Sequence, residues 1–109
     1  MKLPEDKIYI EDSKILNYLL VKRDIKDKSN FLNLGGYSLE NWEQLKKDLY
    51  LLASENDVTV IEEGFGQSVV VGIVGILKGF GKGKSLRVKT VWQKDQGDEF
   101  YRFITLIPF

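Results

Sequence analysis

Three cations stand on two neighbouring stretches of alternating pattern: Arg87 and Lys89 in LRVKTVWQK, and Arg102 in YRFITLIP. Each stretch reads as a strand, because β-branched and aromatic residues recur at every second position. Residues two apart on a strand share a face, so Arg87 and Lys89 point the same way. If the two strands pair so that Trp92 lies near Tyr101, one face holds Leu86, Val88, Thr90, Trp92, Tyr101, Phe103, Thr105 and Ile107. The opposite face then holds Arg87, Lys89, Val91, Gln93, Arg102, Ile104 and Leu106. The first set suits a core. The second presents three cations on adjacent strands, and because Arg offers phosphate a planar fork and Lys a point charge, Arg87, Lys89 and Arg102 form a candidate phosphate-binding set.

Other chemistry is narrower. The chain has no His and no Cys, which excludes imidazole-based triads, thiol nucleophiles, disulfides and Cys or His metal sites. No metal and no cofactor is expected. The segment GFGKGKS (79–85) ends like a phosphate-binding P-loop, but the first Gly of that motif would fall at position 78, which is Lys78, and a strand follows where a helix should. It reads instead as a flexible hairpin tip kept soluble by lysines. Glu62 and Glu63 suggest a carboxylate pair, yet adjacent strand residues point to opposite faces and do not converge. Trp42 and Trp92 each fall on the apolar phase of their element, so core packing is the expectation for both.

The elements that must position these residues follow from patterning. With 109 residues, 43% hydrophobic and 29% charged, the chain has the composition of one globular domain over residues 1–109. Glu11, Asp12 and Ser13 precede an apolar stripe of Ile15, Leu16, Leu19 and Leu20, which predicts a helix over about 13–21. Lys22–Asp27 alternates bases and acids as a solvated connection. Asp27 can cap a short helix carrying Phe31, Leu32 and Leu34, ended by Gly35 or Gly36 in a left-handed conformation. Ser38–Ser54 is the clearest helix, with the stripe Leu39, Trp42, Leu45, Leu49, Leu52 and Ala53. Four strands follow, around Val58 and Val60, Val69–Leu77, Leu86–Trp92 and Tyr101–Ile107. Glycine-bearing connections at 64–66 and 79–84, and a turn at 95–98, make an antiparallel meander of them. Helices first and strands second predict an α+β domain, its helical part spanning about 11–55 and its sheet part about 57–108. The N-terminal helices would pack on one face of the four-stranded sheet, with a short edge strand at Lys7–Ile10 as an addition.

Net charge is zero, but residues 64–94 carry six bases and no acid, whereas residues 40–63 carry seven acids and two bases. Such a division suits either a basic binding face or complementary surfaces within the fold or between two copies of it. Met1–Ile10 lacks the apolar core of a secretory signal, and the longest apolar run, Val69–Leu77, is too short for a membrane helix. A cytoplasmic protein without a membrane partner is the expectation.

The basic connection ending at Lys28, the Phe31 and Leu34–Gly36 segment, the Glu40–Trp42 helix start, KTVW at 89–92 and RFITLIP at 102–108 together resemble a small prokaryotic family of uncharacterised domains. The likeness covers roughly residues 10–108. Helices followed by four strands is also similar in layout to the ribonuclease-toxin fold of barnase, EndoU, colicin nucleases and RelE. The resemblance implies that Lys28, Lys89, Arg102 and Thr105 match recurring positions, and that Lys28, Lys89 and Arg102 are the candidate catalytic residues. Ile107 stands before Pro108 where the family has an aromatic residue, and histidine, used by several of the distant ribonucleases, is missing.

Two readings emerge. In the first, the protein is a metal-independent RNA-cleaving or RNA-binding toxin-like domain, whose cations hold phosphates and stabilise a phosphorane. In the second, it is a non-enzymatic module that uses its exposed sheet face to bind a small cognate protein or a second copy of itself.

Overall fold

Apolar residues at helical spacing from Trp42 onward build the longest helix, and the β-branched run after Asp57 builds the sheet it covers. The computed structural model describes residues 1–22, 27–59 and 68–109 in full and residues 60–63 as backbone. Its elements are strand β1 (Ile8–Tyr9), helix α1 (Asp12–Lys14), which runs on into a wider π-type turn over Ile15–Leu19, helix α2 (Ser29–Leu34), helix α3 (Trp42–Glu55) and strands β2 (Val58–Glu63), β3 (Val69–Leu77), β4 (Leu86–Lys94) and β5 (Tyr101–Pro108). The architecture is α+β. The sheet, however, has five strands in the order β1-β5-β4-β3-β2, and β1 runs parallel to β5 while the other neighbours are antiparallel. The four-stranded antiparallel meander is thus corrected to a mixed sheet whose extra edge is the short N-terminal strand. Among the described residues, no helix is long and apolar enough to cross a membrane.

The first helix differs from a regular helix over 13–21. Leu20 N–H reaches back to the Ile15 carbonyl at 3.1 Å, which widens the turn and still buries Ile15, Leu19 and Leu20. The third begins as a tight turn over Leu39–Asn41. There the Asn41 side chain accepts from Ser38 N–H at 2.8 Å and donates to the Gly36 carbonyl at 2.8 Å, tying the helix start to the preceding loop. Leu39 consequently lies outside the buried stripe, which consists of Leu45, Leu49, Leu52 and Ala53 with Trp42 partly buried beside it. α3 rests on β3 so closely that a Cβ at Gly75 would come within 2.6 Å of Leu52 Cγ. Val71, Ile73 and Leu77 fill the same inner face. The expectation that every N-terminal helix lays a face on the sheet needs correcting at α2. This short helix instead engages the β3–β4 turn with its C-terminal end.

That engagement also overturns the flexible hairpin tip. Phe80 N–H donates to the Gly35 carbonyl and Lys84 N–H to the Leu34 carbonyl, both at 2.8 Å. These carbonyls belong to the end of α2, where intrahelical partners have run out. Gly36 takes φ +84°, the left-handed ending expected of this helix. At the other end the N-cap is Lys28 rather than Asp27, and Asp27, one residue earlier, accepts from Ser29 N–H at 2.8 Å and Ser29 Oγ at 2.6 Å. Residues 23–26 of the solvated connection and the 64–66 turn lie outside the described residues.

Tyr37 locks the same corner. Fully buried, it donates its hydroxyl to Asp48 at 2.6 Å and accepts Gly79 N–H at 3.1 Å, while Gln44 holds the other Asp48 oxygen at 2.9 Å. Burial first, and the bond to Asp48 second, push its pKa well above the ordinary 10.0. A proton held more tightly in the fold than in the unfolded chain stabilises the fold at pH values below the unfolded pKa. That contribution is lost as pH climbs past about 10, where only the unfolded tyrosine ionises readily. The urea midpoint is therefore expected to fall more between pH 8 and pH 11 in the parent than in Tyr37→Phe. Equal falls would mean that Tyr37 keeps no special hold on its proton.

Candidate functional site

Strand pairing sets which side chains share a face. Ile76 pairs with Arg87, Val74 with Lys89, Gly72 with Val91 and Val70 with Gln93 across β3 and β4. Lys89 pairs with Ile107, Val91 with Thr105 and Gln93 with Arg102 across β4 and β5. Trp92 stands opposite Phe103 and Val91 opposite Thr105, so Ile104 has no partner and bulges from β5.

Trp92 faces Phe103 rather than Tyr101, a shift of two residues that keeps the faces, and the bulge comes after it. Because one extra residue reverses the alternation beyond it, Leu106 joins Thr90, Trp92 and Phe103 in the core, whereas Thr105 and Ile107 move to the outer face. Leu106 is wholly buried and Ile107 exposed, the reverse of the expected assignment.

The three cations keep their common face. Arg87 and Arg102 are exposed and Lys89 is half-buried, and no described element packs over them. Along β4, Lys89 lies two positions from Arg87 and four from the partner of Arg102, roughly 7 and 14 Å at about 3.4 Å per residue. The set is a track along the hairpin rather than a pocket around one point.

Each cation has its own surroundings. The Arg102 guanidinium meets Asp95 at 2.7 Å and Asp98 at 3.5 Å, both from the β4–β5 connection. All three side chains are more than 40% exposed, so the pairs contribute at most about 1 kcal/mol and leave the guanidinium open to exchange for an incoming anion. Sequence reasoning missed this cluster, although the spacing Asp95, Asp98, Arg102 across a turn is a signal for it. The Arg87 guanidinium carbon lies 5.4 Å from the centroid of the Phe109 ring, and Phe109 N–H donates to the Arg87 carbonyl at 3.0 Å. Thr59, Val74, Arg87, Lys89 and Phe109 line a hollow of about 260 Å³ on this face.

The remaining candidates are placed apart. Lys28 immediately precedes α2, half-buried, and its carbonyl accepts Leu32 N–H at 3.0 Å. Its described contacts do not include Lys89 or Arg102. Thr105 shares a 2.9 Å hydrogen bond with the Tyr18 hydroxyl, joining the helical layer to the outer edge of β5. Nothing in the sequence signalled that pair, whose members are 87 positions apart. The side chains of Glu62 and Glu63 lie outside the described residues, and among those described no group of three carboxylates is placed to hold a metal ion. Within KTVW the alternation separates two roles. Thr90 and Trp92 point inward, where Trp92 Nε1 donates to Thr90 Oγ1 at 2.8 Å and Thr90 Oγ1 donates to the Ile73 carbonyl at 2.9 Å, while Lys89 points outward.

The model of one protein family, described as a domain of unknown function (DUF6883), matches residues 2–109. The chain belongs to this family. The match spans α1–α3 and all five strands, so the outer face and the corner around Tyr37 are both parts of the family's domain. No curated protein and no solved structure matches the chain.

Proposed function

We propose that the protein is an RNA-directed domain that engages the sugar-phosphate backbone on the outer face of its sheet without a metal ion. The observation that carries this reading is the alignment of Arg87, Lys89 and Arg102 on one uncovered face, spaced as a track. A ribbon of cations suits a chain of phosphates better than a single phosphoryl group, and binding of this kind needs no imidazole. The similarity of layout to the ribonuclease-toxin fold adds RNA as the polymer. Cleavage would further require a base for the 2′-hydroxyl. Lys89 and Arg102, which share the outer face, are proposed to stabilise charge on the phosphorane, and Lys28, at the start of α2, does not join them.

The experiment mixes single-stranded RNA with the protein in EDTA and reads binding and cleavage separately. Loss of one phosphate contact lowers the salt slope of log K by about 0.7 for single strands. Lys89→Ala and Arg87→Ala are therefore each expected to weaken binding at low salt and to reduce that slope. Equal binding by the parent and the double variant would overturn the reading. Cleavage by the parent that Lys89→Ala and Arg102→Ala abolish would extend the reading to catalysis.

A second reading is favoured by Ile76, Ile107 and Phe109, all exposed on this same face. Clustered apolar side chains beside an Arg resemble the centre of a protein interface, here for a small cognate protein or another copy of the chain. Sedimentation that shows a monomer, and a face that retains its RNA affinity when candidate partners are added, would reject it.

A further inference from the structure

Phosphate contacts alone leave the hollow beside Phe109 without a use. Val74, Arg87, Lys89 and Phe109 line it, and 62% of the Phe109 surface is exposed. Thr59 lines it as well, and its hydroxyl already donates to the Gly72 carbonyl at 3.0 Å, which spends its one hydrogen inside the sheet. The lining is therefore almost wholly apolar, between two cations. A large aromatic ring exposed beside two cations offers an apolar π-face to a ligand. The Phe109 ring is also held in position: the Arg87 guanidinium lies against it at 5.4 Å and its own N–H is bonded to the Arg87 carbonyl. Little side-chain freedom remains to be lost when a ligand arrives.

Resting on the RNA-directed reading above, we infer that this hollow is a stacking subsite for one unpaired nucleobase, with the adjoining phosphates held by Arg87 and Lys89. A nucleobase is planar and presents a π-face, and both Phe109 and the Arg87 guanidinium offer planar surfaces to stack on. A base inside a duplex keeps its faces against its neighbours, so the subsite selects single strands. A second copy of the chain is a poorer occupant, since a symmetric contact through this face would set Arg87 and Lys89 of both copies against one another.

Fluorescence anisotropy with two labelled probes tests this: a single-stranded oligoribonucleotide, and an abasic oligomer of the same length with the same phosphates. The parent is expected to bind the base-bearing probe roughly five- to a hundred-fold more tightly, the range that alanine substitution of a stacking aromatic removes. Phe109→Ala should erase that preference, and Phe109→Trp should restore it. Lys89→Ala should weaken both probes alike. If the parent binds both probes equally, or Phe109→Ala keeps the preference, the stacking subsite is overturned while the phosphate track stands. If the parent binds neither probe, or sedimentation shows this face closed by a protein partner, the RNA-directed reading and the subsite fall together.

Discussion

Gly83→Ala is expected to unfold the protein under conditions in which Gly81→Ala does not. A Cβ added at Gly83 would stand 2.0 Å from the Gly35 oxygen, 2.1 Å from the Gly35 carbonyl carbon and 2.4 Å from Gly36 N. All three are backbone atoms, so no side-chain rotation relieves the clash. The β3–β4 turn must lift away from the end of α2, breaking the bonds from Phe80 N–H and Lys84 N–H and opening the corner where Tyr37 holds Gly79. Overpacking in well-filled sites typically costs about 1–3 kcal/mol and sometimes more. With two backbone bonds lost as well, at least ~3 kcal/mol is expected, a large share of a typical stability of about 5–15 kcal/mol. Gly81 also has a positive φ, +62°, but nothing lies within 4 Å of its added Cβ. Alanine there is expected to cost only the left-handed backbone preference, about 1–2 kcal/mol. Urea melts followed by far-ultraviolet circular dichroism separate the two. A Gly83→Ala midpoint within experimental error of the Gly81→Ala midpoint would disprove the docked turn.

The second large effect is expected at Trp92. It is the largest fully buried side chain, it meets Phe103 edge-on with ring centroids 5.3 Å apart, and its Nε1 is satisfied inside the core by Thr90. Trp92→Ala removes the ring contacts and leaves a cavity, a change that costs about 3–5 kcal/mol. Trp92→Phe keeps a six-membered ring and removes the donor and the rest of the indole, a smaller loss of volume than alanine. Thr90 Oγ1 keeps its bond to the Ile73 carbonyl, so the loss should be clearly smaller. Denaturant titration that found Trp92→Ala less than 1 kcal/mol below the parent would contradict its place at the centre of the core. Because Trp92 faces away from Lys89, any Trp92 variant that still folds should bind RNA as the parent does, which distinguishes the inner members of KTVW from its outward cation.

Much of this plan was legible in the sequence because it is local. The stripe Leu45, Leu49, Leu52 and Ala53 announces α3, and β-branched runs announce β3 and β4. Period two on β4 correctly set Thr90 and Trp92 against Arg87 and Lys89. What was not legible depends on distant partners or on a missing signal. The short edge strand expected at Lys7–Ile10 is present as β1, but two residues carry no mark of its parallel pairing with β5. The β5 segment FITLIP is apolar at nearly every position, so no alternation marks where its phase changes, and no Gly or Pro flags Ile104. The turn at 79–84 looks solvated because its lysines conceal a backbone that docks against residues more than 40 positions earlier. Tyr37 stands alone between Gly36 and Ser38, with nothing nearby to suggest that it would cross the core to Asp48. Of the candidate site, the shared face of the three cations was readable, since parity on β4 needed no partner and Arg102 lies before the bulge. The hollow at Phe109 was not, because its five lining residues come from β2, β3, β4 and the end of the chain.

The unpaired Ile104 makes β5 behave like a reading frame. The spare residue is absorbed without a partner, so removing Ile104 would close the bulge and keep the frame that follows: with Trp92 still opposite Phe103 and Val91 opposite Thr105, Leu106 would stay in the interior and Thr105 and Ile107 outside. A relative one residue shorter at this point would display the same outer surface from a string of different parity, and a reader who counted alternation straight through Ile104 in this chain would misassign that surface from the bulge onward.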